Sequence, residues 1–211
     1  MVLLSGGIDS ATALYLLKPR YRMRALTFEY HGVAKQELAS ARSIAAEAET
    51  VEHRFVRLPD LKEASDIPGA AFEGLPPTYI PLRNAIFYSY AASYAEEAAA
   101  SVIVGGHIGD DTAVFKDVGS EFFSHLQRAL LAGSAVLRKS GLKIVRPLKQ
   151  RDKVSVLKLA ASLGVPLELT WSCHRSGRSH CWKCPGCASR ERAFEMAGLE
   201  DPLSTAPRKI T

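Results

Sequence analysis

Six residues near the N-terminus have the types and spacing needed to hold a phosphate group. Ser5-Gly6-Gly7-Ile8-Asp9-Ser10 follows the apolar run Val2-Leu3-Leu4 and precedes a segment with apolar residues at helical spacing. The glycines allow the backbone to turn and approach a phosphate, and the following helix supplies free amides and a partial positive charge. Ser5 and Ser10 add hydroxyl donors, while Asp9 suits a magnesium ion. The competing interpretation is a tight Gly-Gly turn followed by an ordinary helix cap.

Four cysteines near the C-terminus have the spacing of a metal site. They stand at Cys173, Cys181, Cys184 and Cys187, and the chain contains no others. Four clustered thiolates can complete a tetrahedral shell, so Zn²⁺ in a closed structural site is the first prediction. An iron-sulfur cluster is the alternative, because spacing alone does not separate the two, and disulfides are the weaker third possibility. The two histidines within this segment, His174 and His180, are expected on the surface rather than as ligands.

The elements that position these motifs alternate between strand and helix. A strand over 2–4 leads through the phosphate loop into a helix marked by Ala11, Leu14 and Leu17. Further strands are predicted over 24–30, 51–58, 101–104 and 144–145, and further helices over 36–48, 83–100, 121–132 and 152–163. The proline-rich segment 59–77 is expected to be a long surface loop that could act as a lid. This alternation predicts a parallel sheet covered on both faces, with ligands at the carboxyl ends of the strands.

The length and composition agree with one folded domain. The chain has 211 residues, of which 47% are hydrophobic and 23% charged, and a formal net charge of +5. We expect a single domain over 1–211 with a metal-binding subregion at 165–211. The apolar runs fall short of the roughly 18 residues of a membrane span, which predicts a cytoplasmic protein without a membrane partner. The basic residues are scattered, so an anionic small molecule such as ATP explains the charge as well as a nucleic acid does.

Several blocks along the chain together resemble a known enzyme family. The hexapeptide is similar to the signature of the PP-loop ATP pyrophosphatase superfamily, which splits ATP into AMP and pyrophosphate. The remaining blocks resemble the 7-cyano-7-deazaguanine synthase family within it. They are Phe28-Glu29-Tyr30-His31-Gly32 ahead of Gln36-Glu37-Leu38, Thr78-Tyr79-Ile80-Pro81-Leu82-Arg83-Asn84, Leu167-Glu168-Leu169-Thr170-Trp171-Ser172-Cys173, the Cys-x2-Cys-x2-Cys run, and Ala197-Gly198-Leu199-Glu200-Asp201-Pro202.

This resemblance implies a fold, a reaction and a set of partners. The fold is a Rossmann-like three-layer α/β sandwich of the PP-loop type, with a C-terminal zinc-binding loop-helix region. The reaction converts 7-carboxy-7-deazaguanine and ammonia to 7-cyano-7-deazaguanine in the synthesis of queuosine and archaeosine precursors, with ATP, Mg²⁺ and Zn²⁺. Each of two activations by ATP adenylates an oxygen, first of the carboxylate and then of the amide. The family also implies a homodimer and no stable complex with nucleic acid.

The resemblance also assigns roles to particular residues. Arg83 is expected to clamp a phosphate or carboxylate with its planar fork, and Lys153 to face pyrophosphate. With Ser5, Asp9 and Ser10 these form the predicted catalytic set. The nucleotide is expected to contact Leu4, Ser5, Gly6, Gly7, Ile8, Asp9, Ser10, Phe28, Tyr30, Arg83, Asn84 and Gly105. The substrate is expected to contact Tyr79, Asn84, Asp110 and Asp117. Trp171 could stack on a purine-like ring, although packing is the commoner role of such a residue.

One segment departs from the family pattern. After Gly105-Gly106 the family usually has an aspartate and then an aromatic-proline-aspartate stretch, whereas this chain has Val114-Phe115-Lys116-Asp117. Because aspartates here are expected to read the deazapurine, the change bears on substrate identity more than on ATP use. Three alternatives therefore stand beside the main hypothesis. They are a paralogue that adenylates another carboxylate, a tRNA base-modifying PP-loop enzyme, and a non-catalytic nucleotide-binding module.

Overall fold

The computed structural model describes residues 1–67, 79–113 and 115–204. Its centre is a five-stranded, all-parallel sheet with the strand order β3-β2-β1-β4-β5. The strands are β1 (Val2–Leu3), β2 (Arg24–Tyr30), β3 (Glu52–Leu58), β4 (Val102–Val104) and β5 (Lys143–Val145). The strand order reverses at β1, between β2 and β4, which is where open parallel sheets bind ligands at the strands' carboxyl ends.

Seven α-helices accompany this sheet in the described parts of the chain. They are α1 (Ile8–Leu17), α2 (Lys35–Glu47), α3 (Arg83–Glu97), α4 (Ser120–Gly133), α5 (Ala135–Ser140), α6 (Lys153–Ser162) and α7 (Pro185–Ala197). Short 3-10 turns lie at Ala64–Asp66, Asp110–Ala113, Lys116–Val118 and Leu167–Leu169. No helix within 1–67, 79–113 or 115–204 is long and apolar enough to cross a bilayer.

Two hydrophobic clusters cover the two faces of the sheet. Side chains alternate across a strand, so Val2 and Val104 face one cluster while Met1 and Ile103 face the other. The first cluster includes residues of α1, α2, α6 and α7, and the second includes residues of α3, α4 and α5. The predicted three-layer α/β architecture with a parallel sheet is therefore confirmed. The C-terminal helix α7 joins the first cluster through Ala193 and Phe194.

Several elements were not delimited by the sequence prediction, and most of them lie in the C-terminal half. The helices α5 and α7 and the four 3-10 turns had no predicted bounds, while the other helices and the strands lie within about three residues of the prediction. The proposed loop at 59–77 lies only partly in the described residues. Residues 59–67 include one 3-10 turn, and the rest of that prediction lies outside the described part.

Candidate active site

The phosphate loop connects β1 to α1 and is held by its own side chains and by α2. The backbone amide of Ser5 donates to Ser10 Oγ at 3.2 Å, and Ser10 Oγ in turn donates to the Gly7 carbonyl at 3.1 Å. Gly6 adopts a φ of +88°, and a β-carbon there would lie 2.4 Å from the Glu37 carbonyl oxygen. Only glycine fits this position, because both the backbone angle and the neighbouring helix exclude a side chain.

A second close approach fixes the other side of the loop. A β-carbon on Gly106 would lie 2.7 Å from Ser10 Cα and 2.8 Å from Ser10 N. The segment after β4 therefore packs directly against the first turn of α1, whose amides lack intrahelical acceptors. The space inside the phosphate loop is therefore narrow and lined by backbone. It lies at the N-terminus of α1, where the helix favours an anion. These features fit a phosphate group.

A cleft of about 430 Å³ opens beside this loop at the carboxyl edge of the sheet. Its lining includes nine of the residues that the sequence singled out for ATP or the substrate. Those are Leu4, Ser5, Asp9, Ser10, Phe28, Tyr30, Arg83, Asn84 and Gly105. Most of the predicted contact residues, which come mainly from β1, β2, α1 and α3 and the loops after the strands, therefore line one cleft.

The aromatic wall of the cleft comes from β2 and α3. Phe28 stacks on Phe87 with ring centroids 4.0 Å apart and planes 2° from parallel, and Tyr30 lies 5.8 Å from the same ring. Phe28 and Tyr30 were predicted as walls for adenine, whereas Phe87 was not anticipated. A flat ring of a nucleotide or a deazapurine fits against such a wall.

The two predicted catalytic residues Asp9 and Lys153 meet across the site. Lys153 Nζ donates to both carboxylate oxygens of Asp9, at 2.8 and 2.7 Å. The two residues lie 144 positions apart, so the pair ties the start of α6 to the phosphate loop. Both side chains stay about a quarter exposed, which leaves them accessible to a ligand.

Two predicted substrate contacts, Asp117 and Asp110, accept hydrogen bonds from backbone amides in the first turns of helices. Asp117 accepts a hydrogen bond from the Asn84 backbone amide at 3.2 Å, in the first turn of α3. Asp110 accepts from the Lys153 backbone amide at 3.1 Å, in the first turn of α6. Among the described residues, neither belongs to the cleft lining, and Tyr79 lies outside it as well. Tyr79 is stacked on Phe115, with ring centroids 6.4 Å apart.

Several cleft residues were missed by the sequence prediction. Glu37 and Leu38 come from the first turn of α2, Tyr88 from α3, and His107 from the segment after β4. Glu37 and Leu38 begin a helix and His107 follows a strand at the carboxyl edge of the sheet, which is a local signal for a ligand site, whereas Tyr88 lies in the second turn of α3 and has no such signal. Their approach to the phosphate loop depends on packing between elements that are distant in the sequence.

The four cysteines form a compact cluster. One sulfur atom from each of Cys173, Cys181, Cys184 and Cys187 lies within 4.8 Å of every other, and all four are free thiols. Hydrogen bonds from the backbone lower the pKa of the Cys181 thiol to about 6, whereas burial raises the pKa of Cys187 to about 12. The cluster therefore fits a metal ion, as the spacing predicted.

The expected surface position of one histidine was wrong. His174 is exposed, but His180 is buried, and its Nε2 accepts the Ser172 backbone amide at 3.0 Å. The ring of Trp171 packs on His180 with centroids 4.3 Å apart, and Trp171 Nε1 donates to the Cys173 carbonyl at 2.7 Å. Trp171 is thus a packing residue of the cysteine segment, because its ring is already covered by the imidazole.

The segment leading into the cysteines contacts the phosphate loop directly. The Trp171 backbone amide donates to the Gly6 carbonyl at 2.9 Å, and Ser40 Oγ on α2 donates to the same carbonyl at 3.0 Å. The segment that leads into the cysteines therefore helps to hold the phosphate loop in place.

The fold consists of a parallel sheet between two layers of helices, with a glycine-rich loop after β1 and a cleft beside that loop. These features define a Rossmann-like α/β protein of the PP-loop class. The family described as "Queuosine biosynthesis protein QueC" matches residues 1–198 of this chain. The chain therefore belongs to the QueC family.

Individual relatives agree with this membership. A 7-cyano-7-deazaguanine synthase from Thermoplasma acidophilum is 34% identical over 96% of this chain and 90% of its own length. Another, from Acaryochloris marina, is 36% identical over 98% of each chain. Among solved structures, the NMN synthetase from Francisella tularensis superposes with a TM-score of 0.51 at 18% identity, over 94% of this chain and 76% of that one. That last similarity concerns the fold alone.

Proposed function

We propose that this protein is a 7-cyano-7-deazaguanine synthase that uses ATP, Mg²⁺ and ammonia to convert 7-carboxy-7-deazaguanine to the nitrile. ATP first adenylates the carboxylate, and ammonia displaces AMP to give the amide. A second ATP adenylates the amide oxygen, and loss of AMP and a proton leaves the nitrile. The observation that carries the proposal is the phosphate loop and its adjoining cleft in a chain whose relatives share this name over nearly their full lengths.

Particular residues of the cleft suit each part of this chemistry. The loop amides and the Ser5 hydroxyl would bind phosphate oxygens, and Arg83 would clamp a carboxylate or phosphate at the wall opposite. Such preorganised donors stabilise the charge that develops at phosphorus. Phe28 and Tyr30 would orient a flat ring so that the reacting oxygen faces the α-phosphate.

The Asp9–Lys153 pair suits a cation-dependent phosphate site. The Asp9 carboxylate is an oxygen donor of the kind that Mg²⁺ prefers, and it lies at the phosphate loop. A bound magnesium ion would supply positive charge to the phosphates. Asp9 would hold the ion, and the Lys153 ammonium beside it would then contact pyrophosphate oxygens.

The assay that tests the proposal measures AMP and nitrile together. Purified protein receives Mg-ATP, ammonium and 7-carboxy-7-deazaguanine, and the products are followed by mass spectrometry. The expected result is acid-dependent AMP release accompanied by the nitrile, with two AMP formed for each nitrile. AMP without nitrile would indicate a paralogue with another end product. Absence of acid-dependent AMP, together with salt-sensitive binding to tRNA, would instead favour a tRNA base-modifying enzyme.

We further propose that the cysteine cluster holds one Zn²⁺ in a closed structural site. Cys173 Sγ lies 3.9 Å from Cys184 Sγ, and Cys181 Sγ lies 3.9 Å from Cys187 Sγ. A tetrahedral zinc with Zn–S bonds of about 2.3 Å would place its sulfurs about 3.8 Å apart. A four-iron cluster binds each thiolate through a different iron and therefore needs a wider sulfur cage.

Replacing Cys184 with Ser is expected to lower the metal content and destabilise the C-terminal region. Cys184 is buried and precedes α7, so its loss opens the coordination shell at the start of that helix. Structural zinc binding contributes directly to folding free energy. The measurements are the zinc-to-protein ratio by elemental analysis and the thermal unfolding midpoint, with Ser189→Ala, an exposed change on α7, as the control. An unchanged ratio in the Cys184 variant would contradict the assignment.

A further inference from the structure

One carboxylate of the cleft, that of Glu37, has no role in phosphate binding or in the aromatic wall as described above. Glu37 lies in the first turn of α2, and its side chain lines the cleft together with Ser5 and Arg83. Its backbone carbonyl presses against Gly6, where a β-carbon would come within 2.4 Å of the carbonyl oxygen. The position of Glu37 is therefore fixed relative to the phosphate loop, next to which the adenylated substrate would react.

The proposed reaction requires a proton acceptor at this place. Ammonium, the predominant form near neutral pH, has no lone pair and cannot attack a carbonyl carbon. A base must remove one of its protons before a new carbon–nitrogen bond can form. A carboxylate in the cleft would both attract the ammonium cation and accept that proton.

The other titratable groups of the cleft are poorly placed for this task. Asp9 is held by two hydrogen bonds from Lys153. His107 packs between Tyr88 and Phe123, and burial lowers its pKa to about 4, which makes it a weak base. Tyr30 and Tyr88 are phenols whose pKa values are raised by burial, so they stay protonated. His174 is an exposed neighbour of Cys173.

We propose that Glu37 binds the ammonium ion and removes its proton during amide formation, an inference that rests on the proposed function. In this step one N–H bond of ammonium breaks and the proton passes to the Glu37 carboxylate. The nitrogen lone pair forms a bond to the carbonyl carbon, and the carbon–oxygen bond to AMP breaks with its electrons on AMP. Loss of a second proton from nitrogen leaves the neutral amide, and Glu37 returns its own proton to solvent.

The surroundings of Glu37 suit a base that works near neutral pH. Burial raises the pKa of Glu37 to about 7, and the positive charge of Arg83 on α3 opposes that rise. The group is therefore a carboxylate, and competent as a base, above about pH 7, and it becomes protonated as the pH falls below that value. The ionisable groups that face it or share its cleft are Arg83 and Tyr88 on α3, Tyr30 on β2, Asp9 on α1, and His107 and His174 in loops.

The test separates adenylation from attack by ammonia. Isotope exchange between pyrophosphate and ATP, with 7-carboxy-7-deazaguanine and without ammonium, reports adenylation alone. Amide formation with ammonium chloride across a pH series reports the attack. For Glu37→Gln we expect exchange close to that of the unaltered protein, with amide formation at neutral pH lowered about 100-fold. Raising the pH toward 9 should restore much of the rate, because free ammonia then replaces the missing base.

Two further variants make the result specific. Glu37→Asp retains a carboxylate and should recover part of the neutral-pH rate. Glu47→Gln, an exposed change at the other end of α2, should behave as the unaltered protein does.

Two outcomes would overturn the role of Glu37. One is a pH profile for Glu37→Gln that matches the Glu47→Gln profile. The other is a Glu37→Gln variant that loses exchange and amide formation alike without recovery at high pH. Absence of acid-dependent exchange in the unaltered protein would refute the proposed function itself, and with it this inference.

Discussion

Replacing Asp9 with Asn is expected to lower acid-dependent AMP release by roughly 10²–10³-fold while leaving the protein folded. The amide has the size of the carboxylate but no charge, so it binds Mg²⁺ poorly and no longer forms an ion pair with Lys153 Nζ, 2.7 Å away. The loss of stability should stay within about 1 kcal/mol, because partly exposed ion pairs contribute little to folding. AMP release and urea unfolding, measured on the same preparation, check both halves of this expectation.

The comparison variants for Asp9 change its partner Lys153 and a second lysine on the same helix. Lys153→Met should also reduce turnover, since it removes the cation expected at pyrophosphate. Lys158→Met changes an exposed lysine further along α6 and should have little effect. Full activity of the Asp9→Asn variant would remove this carboxylate from the mechanism and leave the ion pair as a purely structural contact.

Much of the fold follows from patterns that are local in the sequence. The apolar runs of β2 and β4 and the amphipathic α2 and α6 were located within about three residues. Asp152 was expected near the start of its helix, and its carboxylate indeed accepts the Ser155 amide at 2.7 Å. Such elements are predictable because their period and caps are set by residues a few positions apart.

The residues that line the cleft were harder to predict from local sequence patterns. Asp110 and Asp117 have the chemistry of base-reading residues, yet in the structure their carboxylates accept backbone amides of α6 and α3. An unpaired helix amide and an N–H group of a ligand both donate a hydrogen bond to a carboxylate. The residue type alone therefore does not show which of the two donors a given aspartate binds. Glu37 is the converse case, because an acidic residue in the first turn of a helix normally indicates only a favourable dipole contact, yet Glu37 lines the cleft.

The C-terminal region shows a third limit of prediction. The cysteine spacing predicted the four-sulfur cluster, but it gave no sign that Arg190, in the middle of α7, would be completely buried. Charged residues on a helix usually face solvent, and Arg190 is an exception that only its tertiary partners explain. Its side chain has a relative exposure of 0% and forms two short hydrogen bonds to Asp201, at 2.7 and 2.8 Å.

Arg190 joins the C-terminal helix to the segment that supports the phosphate loop. Besides Asp201, its guanidinium donates to Thr170 Oγ1 at 2.8 Å and to the Leu167 carbonyl at 3.1 Å. The neighbouring Trp171 amide is the one that donates to the Gly6 carbonyl. A fully satisfied buried guanidinium of this kind fixes the geometry of several backbone groups at once.

Replacing Arg190 with Met is therefore expected to lower the free energy of unfolding by about 3–5 kcal/mol, because the change leaves the Asp201 carboxylate buried without its partner. Met retains much of the volume, so the loss arises mainly from the unpaired charge and the broken hydrogen bonds. Urea unfolding measures the change, and Arg192→Met, an exposed change two residues along α7, is the matched control. The double variant Arg190→Met with Asp201→Leu should recover part of the loss, since it removes the stranded carboxylate as well. If Arg190→Met were as stable as Arg192→Met, the buried pair would contribute nothing to the fold, and the phosphate loop would be held by the Trp171 amide and Ser40 without help from Arg190.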